Sequence, residues 1–159
     1  MRLVLLVVIL ATMACDRVTK QIAADTLASA PTRSYLSDTF RLDYAENTGA
    51  FLGIGAHWPP AVRTALFSIG NGVLLLVLTV LTMRLHWQRA ASLGLAFFVA
   101  GGLSNLIDRI AYGKVIDFMN VGIGSVRTGI FNVADVAITV GALLVIWSTT
   151  ARDSSGLPS

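Results

Sequence analysis

The sequence predicts an all-α membrane protein with four transmembrane helices, and three observations predict it. Of its 159 residues, 55% are hydrophobic and only 13% are charged, whereas a soluble domain carries about a quarter charged residues. The apolar residues gather in four segments, each near the roughly 20 residues a helix needs to cross a hydrocarbon core about 30 Å thick. The charged and amide side chains inside these segments fall on one membrane face once the chain is threaded back and forth. The length suits one domain, residues 1–150, followed by a polar tail, 151–159, expected in the cytoplasm. A net charge of +3 without clustered Lys and Arg excludes a nucleic-acid partner. Cys15, the sole cysteine, excludes an internal disulfide and a cysteine metal cluster.

The first helix is expected over about residues 3–24. Leu3 to Cys15 is free of charge, but thirteen residues rise only about 20 Å. To span, the helix must run on through Asp16, Arg17 and Lys20. The second, 61–83, follows Pro59 and Pro60, with Trp58 as an interfacial anchor. The third, 90–110, carries Asn105, Asp108 and Arg109 near its end, and the fourth, 131–149, carries Asn132 and Asp135 in its first turns. Between the first two helices, Phe40 to Tyr44 alternates with period two and predicts a short strand. Glu46-Asn47-Thr48-Gly49 then reads as turn chemistry. The glycine-bearing connection from Gly113 to Ile130 has room for another strand or two.

Spans alternate in direction. The end of helix one, the start of helix two, the end of helix three and the start of helix four therefore share a face. Asp16, Lys20, Asn105, Asp108, Arg109, Asp117, Asn132 and Asp135 gather there. Charged residues at the centre of a span cost roughly 2.5–3.5 kcal/mol each on insertion scales, so their convergence points to a site. Short basic stretches on the opposite face, at Arg2 and between Arg84 and Arg89, favour both termini inside, although the site-bearing face holds more Arg and Lys in total.

Asp16 and Lys20, four apart, suit an ion pair, and Asp108 and Arg109 also have opposite charges at hand. For these four, an interfacial salt bridge is as good a reading as a chemical role. Asp135 is different: no cation lies within a helical turn of it in sequence, and Asn132 cannot neutralise it. Two carboxylates held close share one proton. The ionised one can take a proton from attacking water while the protonated one donates to the carbonyl or leaving amine. That chemistry hydrolyses an amide without metal or cofactor. His57 and His86 fall on opposite faces, so neither a zinc cluster nor a serine triad is supplied.

Five blocks run in order along the chain: Asp16-Arg17-Val18-Thr19-Lys20, Glu46 to Phe51, Gly101 to Arg109, Gly113 to Phe118 and Phe131 to Asp135. Together they resemble the lipoprotein signal peptidase (signal peptidase II) family. The resemblance covers nearly the whole chain, with two local departures: Phe51 follows Ala50 directly, and Ser104 stands where a small residue such as glycine is common. It implies a four-helix aspartyl endopeptidase of the bacterial inner membrane, with a small periplasmic β-sheet and a short periplasmic helix over the site. Asp117 and Asp135 would be the catalytic pair. Asp16, Lys20, Asn47, Gly49, Asn105, Asp108, Arg109, Asn132 and Ala134 would line or brace it. The implied partners are membrane lipids and diacylglyceryl-modified prolipoproteins, cut before the lipidated cysteine by a protein expected to act as a monomer.

Three rivals stand beside this reading. An ion carrier would need a polar relay through helix two, which is absent from the sequence. Thr12-Met13-Ala14-Cys15 faintly resembles a lipobox, but lacks the leucine three before the cysteine and is followed by three more apolar segments. A structural subunit would leave the paired aspartates unexplained.

Overall fold

The computed structural model describes residues 1–49, 55, 57–84 and 88–154. Helix α1 runs Arg2–Leu27, and strands β1 (Arg33–Tyr35) and β2 (Phe40–Asn47) follow. The next helical stretch is not one continuous α-helix as expected. It divides into α2 (Pro60–Arg63), a π-helical segment (Thr64–Gly70) and α3 (Asn71–Arg84). Helix α4 (Arg89–Tyr112), strands β3 (Val115–Ile123) and β4 (Val126–Arg127), and helix α5 (Val133–Ser154) complete the chain.

Among the described residues, three stretches are long and apolar enough to cross a membrane: Pro60–Val80, Arg89–Tyr112 and Val133–Thr150. Helix α1 has the length, at 26 residues, but Asp16, Arg17 and Lys20 interrupt its apolar run. Helix α4 is the centre of the bundle, with 67% of its most apolar stretch buried, against 6% for the stretch through the π-segment and α3 and 28% for α5. Glycines let the backbones approach. A Cβ on Gly94 would lie 2.7 Å from the Gly141 carbonyl oxygen, and one on Gly101 would overlap the Ala134 carbonyl oxygen. Small residues at a crossing allow this closeness in apolar surroundings. The crossing at Gly101 sets the second half of α4 against the first turn of α5.

The four strands form one antiparallel sheet in the order β1-β2-β3-β4. Strand β2 is longer than the alternation predicted. It carries Glu46 and Asn47, which therefore belong to the strand rather than to a turn, and Asn47 pairs with Val115. The unpredicted β1 contributes three residues against its start. One irregularity between Leu42 and Ala45 shifts the register, so that Ala45 faces Asp117. Phe118, pointing the other way, packs on Ala23 and Leu27 at the end of α1, which fixes the sheet over the helix ends. Residues 50–54, with Phe51 among them, residue 56, His86 and residues 155–159 of the polar tail lie outside the described residues.

Candidate active site

The chain enters α5 through a reciprocal cap. Asn132 Oδ1 accepts the Asp135 N–H at 2.9 Å, and Asp135 Oδ2 accepts the Asn132 N–H at 3.2 Å. Each side chain thus satisfies a donor that a helix start would otherwise leave orphaned. A third donor, the Ala134 N–H, goes to Asp16 Oδ1 at 2.8 Å. The Asp135 carboxylate is therefore set by the helix terminus itself, and Asn105 Nδ2 holds its other oxygen at 2.9 Å.

Asp117 arrives from the sheet. Gly113, at φ 71°, ends α4 by donating its N–H to the Arg109 carbonyl, a left-handed cap that turns the chain into β3. Asn132 Nδ2 donates to Asp117 Oδ1 at 2.6 Å, and Asn47 Nδ2 donates to its Oδ2 at 2.8 Å. Asn132 thus joins both carboxylates. Burial pushes Asp117 from 3.8 up to about 6; the Asn47 bond opposes the rise, and the charge of Asp135 adds to it.

A second layer consists of charges that neutralise one another. Lys20 Nζ donates to Asp16 Oδ2 and Asp108 Oδ2, both at 2.7 Å, and to Asn105 Oδ1 at 2.8 Å. Arg17 Nη1 completes Asp108 at 2.8 Å, and its Nη2 donates to the Tyr112 hydroxyl. Two carboxylates and two cations close this network. Asp117 and Asp135 are left with amide and N–H donors and, among the described residues, no ion pair. Asp108 pairs with α1 rather than with its neighbour Arg109, because both of its oxygens face Arg17 and Lys20. Arg109 instead donates to the Gly49 carbonyl, from Nε at 3.2 Å and Nη2 at 2.6 Å. Gly49 N–H in turn donates to Asn47 Oδ1 at 2.9 Å, so Arg109 holds the strand end that carries Asn47.

An apolar cavity of about 360 Å³ opens between the π-segment, α3, α4 and α5. Leu66, Phe67, Leu74, Phe98 and Ile138 form its walls, while Asn105, Arg109 and Asp135 stand at its polar end. Asp117 does not line it. All eleven residues singled out in the sequence lie in this connected cluster. Ser104 was missed as a bonding residue: its hydroxyl donates to Asp16 Oδ2 at 2.6 Å. A hydroxyl inside an apolar helix, one residue before Asn105, is the signal that would have found it, since such a group must be bonded in lipid.

The sequence pattern of the Signal peptidase (SPase) II family matches residues 8–151. The chain belongs to the signal peptidase II family. Among curated relatives, the lipoprotein signal peptidase of Burkholderia mallei is 38% identical over 137 residues, 86% of this chain and 81% of the relative. That of Desulforapulum autotrophicum is 34% identical over 135 residues, 84% and 83% of the two chains. In structure the chain is similar to a bacterial membrane enzyme solved in meso at 2.3 Å resolution. The TM-score is 0.85 with 25% identity, and the match covers 98% of this chain and 93% of that one. A second in meso structure of a bacterial membrane enzyme, at 1.9 Å resolution, shares the fold with a TM-score of 0.78 and 23% identity over 92% of each chain.

Proposed function

We propose that the protein is an aspartyl endopeptidase of the bacterial inner membrane that removes signal peptides from diacylglyceryl-modified prolipoproteins. One observation carries the reading. Two buried carboxylates, Asp117 and Asp135, share the donor residue Asn132 and lack any ion pair among the described residues, and Asp135 stands at the polar end of an apolar cavity.

In this reading α1 is the fourth span. The charges that break its apolar run are the ones turned inward: Asp16 is 0% exposed and Lys20 2%. Paired inside a bundle, they present little charge to lipid. Both termini then lie in the cytoplasm and the sheet lies in the periplasm over the site. A lipid-modified cysteine keeps its acyl chains in the bilayer, so its scissile bond sits at membrane-surface depth. The apolar cavity receives signal helix or lipid, with the carbonyl at the Asp135 end.

The dyad holds one proton. The ionised aspartate takes a proton from water as the water oxygen bonds to the scissile carbonyl carbon, and the protonated aspartate donates to the carbonyl oxygen. Collapse of the adduct breaks the C–N bond, and the amine leaves with a proton returned through the dyad. The bonds from Asn47, Asn105 and Asn132 fix the carboxylates before substrate arrives, so little reorganisation is needed. A monomer contains every residue of the scheme.

The test is incubation of the purified chain with a lipidated precursor and with its unlipidated counterpart, reading product masses. The proposal expects cleavage of the lipidated form alone, immediately before the modified cysteine. Cleavage elsewhere, or of both forms equally, contradicts it.

A further inference from the structure

A second cleft, of about 180 Å³, opens between α1, the end of α4 and the start of β3. Arg17, Lys20, Gln21, Asp108, Tyr112 and Lys114 line it along with Ile116, and neither Asp117 nor Asp135 does. The lining holds three cations and one carboxylate. Asp108 is fully engaged by Arg17 and Lys20, and Lys20 already donates to three acceptors. The charged donors left over belong to Arg17 and Lys114 at the mouth. Arg17 keeps its Nε, with half of its side chain exposed. Lys114 makes one ion pair, to Glu46 at 2.7 Å, with 38% of its side chain exposed, which leaves two N–H donors. Tyr112 packs its ring 5.0 Å from the Arg17 guanidinium and fixes it at the rim.

Two further facts select the ligand. The cations are paired, but Arg17 and Lys114 keep N–H donors at the rim, so the ligand is one whose oxygens accept from both, as a phosphate's do. The face of α1 leading to it is bare and apolar: Leu10, two turns before Arg17 on the same helix face, and Val18 and Ile22 beside it are all more than half exposed. An anion carried on acyl chains matches both. A free anion would use the cleft and ignore the track.

We propose that this cleft binds the phosphate of a membrane phospholipid, held between Arg17 and Lys114, with an acyl chain along the Leu10 face of α1. Lys114 exchanges Glu46 for the phosphate, and Arg17 adds its free Nε while keeping Asp108. The site rests on the membrane placement of α1 proposed above and is independent of the dyad. Binding is read without turnover, so failure of one reading leaves the other intact.

The experiment is native mass spectrometry of the full chain in detergent titrated with dioleoylphosphatidylglycerol. Dioleoylglycerol, without phosphate, and glycerol 3-phosphate, without chains, serve as companion probes. Removing both cations with R17Q and K114Q is expected to weaken the phospholipid complex about thirtyfold, from roughly one cation's worth of attraction at each position. E46Q, which frees Lys114, is expected to tighten it, and this opposite-signed change cannot come from misfolding. Dioleoylglycerol should show no dependence on either position. The proposal is overturned if the double variant binds phosphatidylglycerol like wild type, or if E46Q does not strengthen binding. It is overturned equally if glycerol 3-phosphate binds as tightly with the same dependence on Arg17 and Lys114, which would make the cleft a site for soluble phosphate.

Discussion

Replacing Asp117 with asparagine is expected to stabilise the folded protein in alkaline solution. Burial holds the Asp117 carboxyl at about 6, against 3.8 for an unperturbed aspartate. The folded state therefore favours the protonated form. Its contribution to stability is complete below 3.8 and is lost as pH rises through about 6. Above that, the fold holds a buried anion at a cost of about 3 kcal/mol, from 1.36 kcal/mol per pH unit. The substitution Asp117→Asn removes this cost but adds another. The new NH2 would face the amide donor of Asn47 or Asn132, and neither can simply flip, since their oxygens already serve Gly49 N–H and Asp135 N–H. One lost bond costs about 1–1.5 kcal/mol. The net gain at pH 8 is about 1.5 kcal/mol, or roughly 3–6 °C in melting temperature for a chain of this size. Near pH 4 only the lost bond remains, so the variant should melt slightly below wild type. Thermal unfolding in detergent at the two pH values, followed by tryptophan fluorescence, checks this. A variant that melts below wild type at both, or that shifts equally at both, refutes the reasoning.

Three other substitutions probe the supports. Asp16→Ala strips acceptors from Lys20, Ser104 and the Ala134 N–H at once. It should cost about 3–5 kcal/mol, the usual penalty for breaking a buried pair, read as a large drop in melting temperature. Gly101→Ala drives a methyl into the Ala134 carbonyl. It should cost about 1–3 kcal/mol, and by moving Asn105 away from Asp135 it should lower turnover about 100-fold in a cleavage assay. Asn132→Ala removes both the α5 cap and the link to Asp117. It should lose about 2 kcal/mol of stability, about half from the cap and half from the buried bond, together with turnover, whereas Asn132→Ser should regain the capping half but not the turnover.

Much of this site could be read from the residue pattern because membranes penalise charge. Aspartates and asparagines in apolar segments stand out, and alternation of spans alone places them on one face. The segments Arg89–Tyr112 and Val133–Thr150 were legible from hydropathy for the same reason. Less legible was anything set by geometry between elements. Asp108 chooses Arg17 and Lys20 over its neighbour Arg109 because of how α1 meets α4, a fact of packing that spacing does not encode. Strand β1 has three exposed residues and no alternation to betray it. The π-segment at Thr64–Gly70 looks like ordinary apolar helix in sequence. In sequence Asn47 reads as part of a turn because Asn-Thr-Gly is turn chemistry, yet pairing with Val115 keeps it in the strand, where its amide reaches Asp117.

The most direct test of the central claim is cleavage of a diacylglyceryl-modified prolipoprotein by purified wild type, Asp117→Asn and Asp135→Asn, with folding of each confirmed by melting. The account predicts turnover by wild type that is insensitive to chelator, and near-complete loss in each folded variant. Substantial activity in either variant would contradict the dyad and move attention to Asp16 and Asp108.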